Sequence, residues 1–217
     1  MPKKASKKQR VLLEQWFYWT AYNMRYSSGA EGKIVEDLNG MERVVEEEIP
    51  AYKADEIHIE ASAISEWGFS ASDAQCKMVL CLLAFNEPKS FDTNGIVNLD
   101  NSNLKIATSR NYHHFFPKAF LAKHAKDAYP NLMANITLVD GYSNKHKISD
   151  KAPSIYISKF ENENEDMDST LKSHLIVDRE KFGITENDYD AFILARSREI
   201  ARQLNKKLDP FKTRNQA

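Results

Sequence analysis

Three short segments of this sequence carry side chains that could do chemistry together. They are His113-His114-Phe115-Phe116-Pro117, then Asn135-Ile136-Thr137-Leu138, then Asn144-Lys145-His146-Lys147. The chemistry they suit is phosphodiester hydrolysis. Water is a poor nucleophile at neutral pH, and a neutral imidazole can take its proton. The leaving oxygen and the crowded phosphate charge call for a cation, which a divalent metal supplies. One histidine cannot readily be base and metal ligand at once, which gives a reason for two in a row. Consecutive residues on a regular strand face opposite ways. A working pair therefore needs a strand end or an irregular turn, and Pro117 close behind allows one.

The charge pattern agrees with a local anion site. The chain has 217 residues and a formal net charge of −1, but the charge comes in blocks. Residues 101–160 carry nine basic and three acidic side chains, net +6, between flanks of −3 over 61–100 and −7 over 161–195. The basic block also holds His113, His114, His124 and His146. Phosphate is the natural anion for such a segment; a solvated, alternating surface is the bland alternative. The basic stretch 196–217 adds a second region able to meet phosphate, with salt-dependent affinity.

The elements that must position these residues are mostly helical. Apolar spacing predicts helices over 11–26, 34–49 and 187–207, and an apolar helix from a Ser72–Gln75 capping box to Phe85. SSGAEGK at 27–33 reads as a turn, and 118–128 as a short helix. Asn135 to Asp140 is the best strand, closed by Gly141, and Ile96 to Leu99 is a weaker one. Residues 144–160 return to helical character with Ala152-Pro153 as a candidate break, and 161–168 read as an acidic loop or a weak cap. Strand, loop, strand, helix is the arrangement of a ββα-metal core. No run of 18 apolar residues exists, which excludes a transmembrane helix. Cys76 and Cys81 fit no zinc or redox spacing and read as buried small hydrophobes in a reducing, cytoplasmic protein.

These residues resemble the HNH (His-Me finger) endonucleases. HHFFPKAFL followed by NITLVDGYSNKHK matches their His-hydrophobic-x-Pro segment, Asn-led strand and helix-opening Asn. The resemblance implies His113 as a metal ligand and His114 as general base. It implies Asn135 as the residue that holds the loop through backbone hydrogen bonds, and Asn144 as second metal ligand. Lys145 and Lys147 would lie near phosphate. A wider resemblance, carried by RYSSGAEGK, NYHHFFPKAFL and LKSHLI, is to the C-terminal half of GmrSD-like bacterial restriction proteins associated with phage defence. Their N-terminal ParB-like nucleotide-responsive domain, with its DGQQR-type motif, has no counterpart in this sequence. Nucleotide control, if it exists, is expected from a regulatory partner.

An imidazole and a carboxamide with water and phosphate oxygens form a sparse site. Its oxygens favour Mg²⁺, while the imidazole admits Mn²⁺, Ni²⁺ or Zn²⁺. His113 stands where the family more often has Asp, which shifts preference toward the softer ions. The expected class is therefore α+β, mostly helical with a small ββα-metal (HNH) core. The expected domains are a helical accessory region over 1–100, the nuclease core over 101–160 and a helical extension over 161–217. The expected activity is metal-dependent DNA cleavage in restriction, with RNA as an alternative substrate and homo-oligomerisation left open. An inactive HNH scaffold that binds nucleic acid or a partner subunit is the rival reading. Simple structural roles compete for His58, His124 and His174, for the aromatic cluster Trp16 to Tyr22, and for Asp188 and Asp190, which fall two apart on a predicted helix.

Overall fold

The computed structural model describes residues 4–48, 56–97, 112–139 and 147–209. The chain is mostly helical, and its described residues include a two-stranded antiparallel sheet. It divides into two compact units, residues 1–59 with 202–217, and residues 60–201. The expected boundaries near 100 and 160 both fall inside the second unit.

In the first unit, α1 (Lys7–Tyr22) opens on a full capping box: Ser6 Oγ accepts from Gln9 N at 3.1 Å, and the Gln9 side chain accepts from Ser6 N at 2.8 Å. This start is four residues earlier than the apolar spacing predicts. α2 (Ala30–Val45) also begins early, inside the stretch expected to be a turn, because Gly29 takes the left-handed conformation at φ +60° and serves as its N-cap. The end of the chain returns to this unit. Gln15 donates to the Leu208 carbonyl at 2.7 Å, and Asn205 exchanges two hydrogen bonds with the backbone of Ile59.

The second unit holds the candidate chemistry. α3 (Ala61–Glu66) is followed by α4 (Ala74–Phe85), whose cap is Asp73, one residue beyond the expected Ser72; Asp73 Oδ1 accepts from Cys76 N at 2.9 Å. β1 (Tyr112–His114) pairs with β2 (Ile136–Leu138) in the register Tyr112 to Leu138, His113 to Thr137 and His114 to Ile136. Between them run α5 (Lys118–His124) and a short 3₁₀ turn at Met133–Asn135, so the strand expected from Asn135 begins one residue later. α6 (Pro153–Glu161) starts with Pro153 in its first turn, where a missing N–H costs nothing. α7 (Met167–Ser173) follows a stretch that reads as acidic loop. α8 (Tyr189–Leu208) belongs to this unit through Ala201 and to the first from Arg202. Asp188 precedes the helix and accepts from Ala191 N at 3.0 Å, so it is a cap residue and not a partner of Asp190 across a helical turn.

Aromatic rings fill the core. Phe115 stacks on Phe192 at 4.7 Å, Phe91 and Tyr156 close around it, and Phe160 packs behind them against both. Phe115 and Phe116 are completely buried. The apolar half of the His-His-Phe-Phe segment is thus what anchors it, while its histidines are delivered to the sheet. Gly183 is required where it stands: its φ is +64°, and a Cβ there would meet the Asp188 carbonyl oxygen at 2.7 Å. Of the two cysteines only Cys76 is buried; Cys81 is exposed because it falls on the outer face of α4.

Candidate active site

The two histidines face opposite sides of β1, as the pleat of a strand dictates. His113 is buried, with 4 % of its surface exposed, and lies across from Thr137. Tyr112 and His114 share the other, half-buried face. His114 is the last residue of the strand, and the chain turns immediately after it.

That turn is built by Asn135. Its backbone carbonyl accepts from Phe115 N at 2.8 Å. Its side-chain oxygen accepts from Phe116 N at 2.8 Å, while its amide donates to the carbonyls of Phe116 at 3.0 Å and Pro130 at 2.9 Å. The carboxamide therefore pairs with Phe116 as a neighbouring strand would. Asn135 has no exposed surface, so these bonds have no water to replace them.

His114 Nε2 lies 3.1 Å from Asn131 Oδ1. The orientation of Asn131 is fixed independently. Its Nδ2 donates to the Phe69 carbonyl at 3.0 Å, and its backbone carbonyl accepts from Phe69 N at 2.7 Å. An amide whose NH₂ is spent on a carbonyl must present its oxygen to the imidazole. An oxygen can only accept, so Nε2 carries the proton and Nδ1 carries the lone pair. Burial pushes the His114 pKa below its ordinary value, the Asn131 bond opposes this, and the nearby Lys118 charge lowers it further. The result is a neutral imidazole of fixed tautomer with a basic nitrogen at Nδ1. Nothing in the spelling of PNLMAN marks Asn131 for this role; its bonds to residues 69 and 114 depend on long-range folding.

Behind the sheet lies a second histidine system. Thr137 Oγ1 and His174 Nδ1 are 2.6 Å apart, and His174 Nε2 is 2.7 Å from the Lys89 carbonyl. The carbonyl accepts from Nε2–H, so the Thr137 hydroxyl donates to Nδ1. Both side chains are fully buried, and burial takes the His174 pKa down to about 4. Arg196 is also fully buried and donates to the Ala134 carbonyl at 2.8 Å, while its Nε and Nη2 have no hydrogen-bond partner. Burial lowers its pKa to about 9.

Of the remaining expected site residues, Asn144 and Lys145 lie outside the described residues, as does His146. Lys147 is described and engaged. Its Nζ pairs with Asp92 at 3.2 Å and with Glu163, and stands 5.6 Å from the centre of the Phe160 ring. His124 is exposed and stacks on Phe120 at 4.7 Å. Among the described residues no three His, Cys, Asp or Glu side chains converge as metal ligands. The described part of the expected metal pair is the His113 imidazole, a donor compatible with Mn²⁺, Ni²⁺ or Zn²⁺ alongside oxygen ligands.

No protein-family model matches the chain, and no curated protein or solved structure matches it. Among the described residues no helix is long and apolar enough to cross a membrane.

Proposed function

We propose that this chain is a metal-dependent endonuclease of the HNH type, acting on DNA in a restriction or anti-phage setting. The observation that carries the reading is the state of His114. It is a neutral imidazole at a strand end, with Nε2–H held by Asn131 and a lone pair at Nδ1. In this reading His114 Nδ1 takes a proton from the attacking water. Asn135 holds the Phe115-Phe116 turn so that the strand end stays in place. Burial keeps the imidazole deprotonated, and Lys118 adds a smaller push in the same direction together with positive potential for a phosphate. His113 and Asn144 would hold the divalent cation, which when bound supplies positive charge to the leaving oxygen. Lys145 and Lys147 are the expected phosphate contacts, and Lys147 must exchange a carboxylate for phosphate to make one. A nucleotide-sensing partner remains part of the proposal.

The rival is an inactive scaffold that binds nucleic acid or a partner subunit, and the burial of His113 is the observation in its favour. One experiment separates them. Purified protein is incubated with supercoiled plasmid and Mg²⁺, Mn²⁺ or Ni²⁺, beside EDTA and His114→Ala controls. The nuclease reading expects metal-dependent nicking or linearisation that the His114→Ala variant lacks. Cleavage equal in both proteins refutes the base assignment. DNA binding without cleavage by any metal, on modified as well as plain DNA, favours the scaffold.

A further inference from the structure

The expected phosphate contacts Lys145 and Lys147 leave other cations of the basic block without a task, and two of these line a cavity with Lys147. It has a volume of about 200 Å³ and is walled by Lys147, Lys151, Tyr156, Lys159, Phe160 and Glu163. Its floor is rigid. Tyr156 and Phe160 are buried, and the Tyr156 hydroxyl donates to the Phe115 carbonyl at 2.7 Å, one residue from His114. Its cations are unequal. Lys147 is over-neutralised by Asp92 and Glu163. Lys151 donates to the Lys147 carbonyl, and among the described residues it forms no ion pair with a carboxylate. Lys159 is exposed on the last turn of α6 and likewise forms none among the described residues. With Asp92 behind Lys147, three ammonium groups against two carboxylates leave one positive charge in excess. Such a pocket takes a compact anion with several acceptor oxygens, and a tetrahedral phosphate group meets that description.

We propose that this cavity is a phosphate-binding subsite in which Lys151 and Lys159 are the primary ligands and Glu163 is a gate. In the structure Glu163 occupies Lys147. An entering phosphate replaces the carboxylate, recruits Lys147 and completes a three-lysine cradle. The link from Tyr156 to Phe115 ties the bound phosphate to the His114 segment, so a nucleic-acid backbone seated here would be held beside the proposed base. That placement rests on the nuclease reading; the anion site itself does not.

The test measures binding without cleavage. Fluorescence anisotropy of a labelled DNA duplex is followed from 50 to 200 mM salt in EDTA, with His114→Ala as the parent protein. Each lost phosphate contact reduces the log–log salt slope by about 0.9, so Lys151→Gln/Lys159→Gln is expected to reduce it by about 1.8. Across that fourfold salt range the parent then loses about 12-fold more affinity than the double variant. Glu163→Gln is expected to tighten binding. Lys126→Gln/Lys172→Gln removes two exposed charges elsewhere and leaves the slope unchanged. Inorganic pyrophosphate, followed by NMR of the lysine ammonium groups, serves as the second probe. Displacement of pyrophosphate by duplex identifies the backbone as the ligand, and its retention identifies a free phosphate compound. An unchanged slope in a folded Lys151→Gln/Lys159→Gln protein, together with no pyrophosphate response, overturns the proposal. Absence of cleavage in the plasmid assay leaves it standing, so the two readings fail separately.

Discussion

Substituting Asn131 probes the proposed mechanism where it is most exposed, because this residue sets which nitrogen of His114 is basic. Asn131→Leu removes the acceptor for Nε2–H and the donor to the Phe69 carbonyl. Both groups are partly reached by water, so the expected cost is about 1–3 kcal/mol of stability. With the tautomer no longer held, Nδ1 is protonated for part of the time. Loss of an orienting partner of this kind costs about 10–100-fold in activity. Asn131→Asp acts in the opposite sense on charge. A carboxylate beside Nε2–H favours the imidazolium and raises the His114 pKa. A general base works only when neutral. The acid limb of kcat/KM against pH therefore lies below the ordinary histidine range in the wild type, because burial lowers that pKa, and moves to higher pH in Asn131→Asp. The assay is plasmid cleavage from pH 4.5 to 9 at fixed metal, with NMR titration of the His114 ring as a readout that needs no substrate. Identical acid limbs and ring titrations in all three proteins would refute the assignment of both residues.

Asn135→Ala strands the Phe116 N–H and carbonyl in a dry interior, and at about 1–3 kcal/mol for each group the protein should lose at least about 2 kcal/mol by urea denaturation. Gly183→Ala should cost about 1–3 kcal/mol, seen as a lower Tm, because the left-handed backbone and the Asp188 carbonyl both oppose a Cβ. Folding holds His174 neutral with a pKa near 4, against 6.5 when unfolded. The unfolded chain therefore binds the extra proton, and stability is lost as pH falls from about 6.5 to 4, by about 3 kcal/mol in all. A His174→Gln protein should show a flatter stability curve across that window in pH-dependent denaturation. Arg196→Met exchanges an unpaired buried cation for an apolar chain and costs one hydrogen bond to Ala134, so its Tm should stay within several degrees of the wild type; a loss of about 3–5 kcal/mol would mean that Arg196 has a partnered role.

Long periodic elements were legible in the sequence: the helices near 7–22, 74–85 and 189–208 follow their apolar spacing to within a few residues. Their starts were less so, since a cap can slide by one residue from Ser72 to Asp73 without changing the pattern. α7 escaped notice because ENENEDMD offers charge and no apolar stripe, although Met167 and Leu171 one turn apart are both buried. At the site, the segments 112–117 and 135–138 could be matched by their residue types and by Asn135. Their antiparallel register, the burial that separates His113 from His114, and the role of Asn131 could not. Each depends on contacts between residues 17 to 62 positions apart, such as His114 with Asn131 and Asn131 with Phe69. Lys147 shows the same limit: its basic character was plain, but its two acidic partners come from positions 92 and 163.

The hydrogen bond from Gln15 to the Leu208 carbonyl spans 193 residues of chain. Its counterpart between Ile59 and Asn205 spans 146. During synthesis α1 therefore leaves the ribosome long before the last turns of α8 that complete its unit. At about 5–20 residues per second the wait is about 10–40 s. Leu12, which is completely buried in the finished protein, stays exposed for part of that time. The unit around the sheet ends at Ala201, so its whole sequence has been made before the last turns of α8. The order of assembly is then inside-out along the gene: the middle of the message becomes structure before its beginning does.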